Sequence, residues 1–366
     1  MTKTDRFYIR MAYSLAKKAK GLTFPNPAVG AVIVKDGKVI GKGATQFAGG
    51  HHAEKIALFE AGELACDATL YVTLEPCCHF GRTPPCTDAI IKAGISRVVI
   101  TQKDPNPLVS GKGIKQLRES GIRVDDGIFE KEAPCLNEDY YWSIQHKKCW
   151  ITLKLAMTLD GRIADGSNIS KWITSEKSRS YVHELRRMHA AVGVGRSTLD
   201  YDNPQLTVRH KKGYNPARVI FSSSADTPVN SYFFQHAHDT RSIVVVRSET
   251  SKIKVDEKSG IEYWFTGELD HSKSMNIFRE IAYSYGISSI FVEGGQRIAS
   301  LLLEKQMVNR VYFFYGNRIL GAGREGLQFS RGLSMPNCIS LDNIELKSFS
   351  NDMMITGTPV YSKCDS

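Results

Sequence analysis

Two Pro-Cys pairs, Pro76-Cys77 and Pro85-Cys86, have their cysteines nine residues apart and follow a His52-Ala53-Glu54 triplet. A fold that uses them together must carry an imidazole and two sulfurs from separate segments to one point. Zinc in a hydrolytic role takes three protein ligands and keeps a fourth position for water, and His52, Cys77 and Cys86 supply that set. Glu54 competes poorly with these softer ligands and reads as a proton shuttle beside them. Each ligand group is expected to follow a strand and open a helix, where the helix dipole favours thiolate, and Pro76 suits a first helical turn because no N–H is lost there. The plainer readings are a zinc that only supports folding, or buried thiols.

The rest of the chain has room for such a site and for more. At 366 residues it exceeds one ordinary core, so two domains are expected. In the first part, "DRFYIRMAYSLAKKAKG" carries apolar residues at 7, 11, 12, 15 and 19 and reads as a helix ended by Gly21. "AVGAVIVKDGKVIGKGAT" reads as two strands joined at Asp36-Gly37. Repeated strand–helix units follow, which is the pattern of a three-layer α/β/α sheet. After the "LNEDYYWSIQHKKCW" junction the pattern restarts with strand "WITLKLAMTLDG", a helix capped by Ser175, and strands at "AVGVG", "ARVIFSS", "SIVVVRS", "SSIFVEGG", "NRVYFFYG" and "MMITGTPVYS". We expect domains at 1–147 and 148–366, both α/β.

Eight cysteines at low density in a chain that opens without a secretory core suggest thiols rather than disulfides, and a cytoplasmic protein. No apolar run reaches the ~20 residues of a membrane helix. The net charge of +10 fits a phosphorylated small molecule, nucleic acid or an anionic membrane. From Lys171 to Arg218 ten Lys/Arg face four Asp/Glu, but no arginine-rich or aromatic-interleaved basic tract occurs, so neither nucleic acid nor membrane is expected as a partner. His79 and Arg82, inside the inter-cysteine loop, could reach a substrate or simply lie exposed. Asn26, between two prolines, and Asp104 and Asn106 in "KDPNP" read either as turn formers or as substrate contacts at a sheet end. His51 reads as a helix-entry residue and Cys78 as a small buried side chain. "FVEGGQRIASLLLE" is a strand, a Gly-Gly turn and a helix, a geometry that offers N–H groups to an anion without being a dinucleotide fingerprint.

"TFPNPAVGAVIV", "GGHHAEKIAL", "LEPCCHFGRTPPC" and "DPNP" resemble the deaminase domain of the bifunctional riboflavin-biosynthesis deaminase–reductases, which carries the H-x-E and P-C elements of zinc nucleobase deaminases with a longer inter-cysteine loop. "LKLAMTLDGRIA", "SKWITSE", "GVGRSTLDYDNPQLTVR" and "FVEGGQRIASLLLE" resemble the reductase domain of the same family, so the likeness covers nearly the whole chain. It implies a cytidine-deaminase-like N-terminal domain, a dihydrofolate-reductase-like C-terminal domain, Zn2+ and NADPH as cofactors, and a diaminohydroxyphosphoribosylaminopyrimidine as substrate. The ring amine would be hydrolysed and the ribosyl group then reduced to ribityl. Carried over by position, Ala156, Trp172, Thr198, Asp202 and the turn Gly294, Gly295, Gln296, Arg297, Ile298, Ala299, Ser300 would hold NADPH. Ser170, Arg186, Leu206, Arg209 and Glu293 would hold the ribosyl phosphate, with Lys154 and Asp160 lining the same opening. Arg186 and Arg209 suit phosphate because guanidinium binds it in a bidentate manner. Lys154 or a water would donate the reductase proton. The family is often oligomeric, which implies a homo-oligomer. A nucleic-acid base deaminase, or a zinc-stabilised binding module without catalysis, are the competing readings.

Overall fold

The computed structural model describes residues 3–80, 84–127, 136–209, 214–226 and 228–362. The chain forms two compact units, Met1–Lys147 and Lys148–Ser366.

The first unit contains α1 (Lys3–Ala19), β1 (Gly30–Lys35), β2 (Lys38–Ala44), α2 (Ala53–Ala61), β3 (Thr69–Val72), α3 (Cys86–Lys92), β4 (Arg97–Ile100), α4 (Lys112–Glu119), β5 (Arg123–Asp125) and α5 (Glu138–His146). The sheet runs β2-β1-β3-β4-β5, antiparallel about β1 and parallel from β3 to β5. One apolar cluster joins the sheet to α2, α3 and α4, and a second joins its other face to α1, giving the three layers expected. The α1 stripe differs from the expected one. Tyr8, Ile9, Ala12, Tyr13, Ala16 and Ala19 are buried, while Phe7 is exposed. Polar anchors turn the helix: buried Asp5 receives Tyr71 Oη at 2.8 Å and Arg97 Nη1 at 2.9 Å, and Tyr8 Oη donates to the Gly37 carbonyl. Helix α2 lies close on β2 because the facing positions have little or no side chain. A Cβ at Gly41 would meet the Ala57 carbonyl at 2.2 Å, and one at Gly43 the Ala53 carbonyl at 1.9 Å. This contact fixes the start of α2, where His52 and Glu54 stand.

The second unit contains β6 (Trp150–Met157), β7 (Arg162–Ala164), α6 (Glu176–Arg187), β8 (Ala191–Gly195), α7 (Arg196–Asp202), β9 (Ala217–Ser222), α8 (Tyr232–Gln235), β10 (Ser242–Val246), β11 (Ser251–Val255), β12 (Glu262–Thr266), α9 (His271–Ser284), β13 (Ser289–Glu293), α10 (Gln296–Glu304), β14 (Arg310–Tyr315), β15 (Arg324–Glu325), β16 (Ser340–Phe349) and β17 (Asp352–Val360). Ten strands form one sheet in the order β11-β12-β10-β9-β8-β13-β6-β14-β17-β16, parallel from β12 through β14 and antiparallel at both ends. Strand β6 enters the middle of this sheet, between β13 and β14. Strands β8, β9 and β10 are almost wholly buried, as expected for parallel strands covered on both faces. Ser175 caps α6 by accepting from Ser178 N, as its residue type predicts.

Candidate active sites

In the first unit, β2 and α2 deliver His52 and Glu54, and the stretch from β3 to α3 delivers both cysteines. His52 Nδ1 lies 3.5 Å from Cys77 Sγ and 3.2 Å from Cys86 Sγ, and all three ligand atoms lie within 4.8 Å of one another. The cysteines are free thiols. One imidazole nitrogen and two thiolate sulfurs form a borderline-soft set that suits zinc and leaves one tetrahedral position open.

Cys86 opens α3, but Cys77 and Pro76 lie in the connecting loop, so Pro76 does not occupy a first helical turn. The loop still reaches the helix end. The Cys77 carbonyl accepts from Cys86 N at 3.0 Å and Thr87 N at 3.2 Å, and Cys77 Sγ accepts from Cys86 N at 3.4 Å. Cys77 thus caps the first N–H groups of α3, whose own N-cap residue Pro85 makes no side-chain cap hydrogen bond. Hydrogen bonds with the Cys86 thiol and the His52 ring favour the Cys77 thiolate and outweigh its burial. The same arrangement pushes the buried Cys86 thiol up. Burial, reinforced by the Cys77 charge, raises the Glu54 carboxyl to about 7. Cys77 is half-buried and Cys86 fully buried, so we expect iodoacetamide to label Cys77 first in chelator-stripped protein, with labelling suppressed once zinc is restored. Peptide mass spectrometry reads the order, and Cys86 reacting first would contradict it.

Around this centre, Asp104 Oδ1 accepts from Asn106 N at 2.8 Å and Tyr140 Oη at 3.1 Å, while Asn106 Oδ1 accepts from Leu108 N at 3.1 Å. Both residues therefore shape their own turn, and burial raises the Asp104 carboxyl to about 6. His79 Nδ1 is buried and has no hydrogen-bond partner among the described residues. Asn26 lies half-buried in a turn in which its N–H donates to the Thr23 carbonyl. Arg82 lies outside the described residues.

The second unit has a cavity of about 840 Å3 at the C-terminal ends of its central strands, where ligands bind in open α/β sheets. Lys154 and Ala156 enter it from β6, Ser170 and Trp172 from the segment before α6, and Arg186 from α6. Thr198 and Asp202 enter from α7, and Leu206 and Arg209 from the segment beyond it. Glu293, Gly294, Gly295, Gln296, Arg297 and Ile298 complete the wall. Ser170 Oγ donates to Asp202 Oδ1 at 3.2 Å, and Arg179 stacks on exposed Trp172 with its guanidinium carbon 4.2 Å from the ring centre. Three sequence-chosen residues are placed differently. Ala299 and Ser300 do not line the cavity. Ala299 is fully buried in the core, and Ser300 Oγ accepts from Gln328 N at 2.8 Å, because successive α10 positions rotate away from the turn. Asp160 also lies outside the cavity wall, accepting from Thr158 Oγ1, Leu320 N and Gly321 N.

The two phosphate-suited arginines differ. Arg186 forks onto Glu293, with Nη2 3.0 Å from Oε2, and its Nη1 donates to the Thr207 carbonyl at 2.9 Å. Arg209 forms no salt bridge among the described residues; Nη1 donates to Gln205 Oε1 at 3.1 Å. Lys154 sits opposite Glu293 across the β6/β13 ladder, and burial pulls its ammonium pKa down. Ser222, Ser223, Arg247 and His271 also line the cavity. They were missed in the sequence, where the strand-end rule was the available signal for Ser222, Ser223 and Arg247 beyond β9 and β10.

Comparison with known proteins covers both units. Residues 2–102 match the model of the cytidine and deoxycytidylate deaminase zinc-binding region, and residues 149–355 match the RibD C-terminal domain. The riboflavin biosynthesis protein RibD of Aquifex aeolicus is 44% identical over 87% of this chain and 88% of its own. The chain belongs to the RibD family. Its Escherichia coli relative is 37% identical over 90% of this chain and 92% of its own. Among solved structures, Acinetobacter baumannii RibD is similar with a TM-score of 0.87 and 32% identity, covering 98% of this chain and 99% of that one. A Thermotoga maritima protein named diaminohydroxyphosphoribosylaminopyrimidine deaminase/5-amino-6-(5-phosphoribosylamino)uracil reductase is similar with a TM-score of 0.84 and 37% identity over 98% and 99% of the two chains. The chain is therefore a bifunctional deaminase–reductase of riboflavin biosynthesis, with a zinc-binding deaminase domain followed by a RibD C-terminal reductase domain. No helix among the described residues is long and apolar enough to cross a membrane.

Proposed function

We propose that residues 1–147 hydrolyse the ring amine of diaminohydroxyphosphoribosylaminopyrimidine and that residues 148–366 reduce the resulting 5-amino-6-(5-phosphoribosylamino)uracil to its ribityl form. The observation that carries this reading is the convergence of His52, Cys77 and Cys86 beside a buried, protonatable Glu54. His52, Cys77 and Cys86 would hold zinc, which would supply Lewis-acid activation of the attacking water. Glu54 would take one proton of the attacking water and give it to the ring nitrogen as the water oxygen bonds to the ring carbon, then carry the second proton to the amine, which leaves as ammonia as the carbonyl forms. Asn26, His79, Arg82, Asp104 and Asn106 are assigned to hold the pyrimidine.

In the second unit NADPH supplies the hydride. The turn beginning at Gly294 and the first N–H groups of α10 would hold a cofactor phosphate, with Ala156, Trp172, Thr198 and Asp202 contributing to the same cofactor site. Ser170, Leu206 and Arg209 hold the ribosyl phosphate substrate, while Glu293 fixes Arg186 at the wall. Lys154, whose ammonium pKa is lowered by burial, would give the proton to the nitrogen of the ring-opened ribosylamine, an imine, as its C1′ accepts hydride to leave the ribitylamine. The enzyme is placed in the cytoplasm, where its thiols stay reduced, and the family resemblance favours a homo-oligomer.

Purified protein incubated with the diaminopyrimidine ribotide should release ammonia without NADPH and consume NADPH only after that release. Oxidation of NADPH without ammonia release would break the proposed order. Arg209→Ala should raise the reductase KM for substrate by about tenfold, the worth of one charge-assisted contact, with deamination unchanged. An unaltered KM would remove Arg209 from phosphate binding.

A further inference from the structure

Helix α4 starts just after Gly111, an N-cap residue with a φ of 80° and no side chain to cap the helix. The orphan N–H groups of such an end need an acceptor from elsewhere. Glu75, two residues before Cys77 and only 3% exposed, provides it. Its Oε2 accepts from Gly111 N at 2.9 Å and Asp104 N at 3.2 Å, and its Oε1 accepts from Ile114 N at 3.2 Å. Among the described residues this buried carboxylate has no salt-bridge partner; the N–H groups of one helix end and one loop hold it, a pairing favoured by the helix dipole. The two segments are also tightly packed. A Cβ on Gly113 would lie 2.2 Å from the Pro76 carbonyl. On the loop's other side, Tyr140 Oη donates to Asp104 Oδ1 at 3.1 Å and Tyr141 Oη to the Lys103 carbonyl at 3.1 Å.

We infer that Glu75 is a positioning residue for deamination: its carboxylate locks the Asp104–Asn106 loop and the start of α4 to the segment bearing Cys77, so that substrate-holding groups and metal ligands keep one geometry. This rests on the proposed substrate role of the Asp104–Asn106 loop. A glutamine keeps the shape of Glu75 but turns a donor toward N–H groups that need an acceptor, so it releases one side of the lock.

The test uses full-length enzyme with zinc content, deaminase kcat and KM, and reductase rate measured together, the last as an internal control. Glu75→Gln should keep one zinc and raise the deaminase KM about tenfold, with kcat changed much less. Gly113→Ala, which wedges the same two segments apart from the other side, should reproduce that KM-selective loss. A purely scaffolding role gives the opposite pattern: zinc and kcat fall together as the active fraction drops, KM stays fixed, and the inference fails. It also fails if Glu75→Gln is insoluble or zinc-free while Gly113→Ala leaves KM unchanged. Asn106→Ala separates the two layers of the argument. A raised KM there with an unaltered Glu75→Gln enzyme rejects the positioning role alone, whereas an unaltered KM in Asn106→Ala removes the loop from substrate binding and the proposed coupling with it.

Discussion

Glu54→Gln should lower deamination by about 10²–10⁴-fold, the range assigned to a positioned acid–base group, while zinc content and the reductase rate stay at their original levels. The expected size follows from the surroundings of this side chain. Glu54 lies in the first turn of α2, two residues from the ligand His52, and is 3% exposed. Its carboxyl is pushed up to about 7 by burial and by the neighbouring Cys77 charge, so a proton can be taken and returned near neutrality. Glutamine fills the same space and removes only that exchange. Ammonia release under saturating substrate, alongside metal analysis, decides the matter. Deamination within a few-fold of the unsubstituted enzyme would exclude Glu54 as the shuttle and favour a zinc site that only supports folding.

Glu293→Ala should destabilise the second unit by about 3–5 kcal/mol, because it leaves the largely buried Arg186 guanidinium without its countercharge. Arg186 and Glu293 side chains are 10% and 14% exposed, so water cannot replace the lost partner cheaply. The pH dependence has a definite sign. Burial pushes the Glu293 carboxyl up, but the charge of Arg186 and its hydrogen bonds outweigh that and hold it below the ordinary 4.5. A depressed carboxyl stabilises the fold above the unfolded value near 4.5, and the contribution is lost as pH falls through the lower, folded value. Calorimetric melts from pH 7 down to 3 should show an acid-induced loss that Glu293→Gln lacks. Parallel curves for the two proteins would mean that the pair contributes nothing to stability, and a near-normal melting temperature for Glu293→Ala would contradict the size predicted.

The site was legible where chemistry forces particular residue types into short spacings. His52, Cys77 and Cys86 are legible in the sequence because one metal needs few, distinctive ligands, and the structure brings those atoms together. The capping role of Glu75 was invisible for the opposite reason: its partners are backbone N–H groups 29 to 39 residues away, which leave no side-chain signature. In the fold, strands such as β8, β9 and β10 could be read from their apolar runs. Strand β16 could not, since all ten of its positions are exposed or half-exposed and no inward face imposes a period of two. The α1 stripe was misplaced because buried tyrosines and Asp5 carry hydrogen bonds, and a purely apolar pattern passes over them.

The central place of β6 sets the order in which this protein can be completed. The first strand of the second unit waits for β13 and β14, whose residues follow it by more than a hundred positions, before either of its edges is paired. On the ribosome, Trp150–Met157 emerges long before those neighbours exist, presenting an apolar, two-edged strand of the kind that recruits chaperones or pairs with other nascent chains. Translation that stops before residue 315 leaves β14 unfinished, so premature termination within the second unit should yield aggregates instead of a partially working reductase.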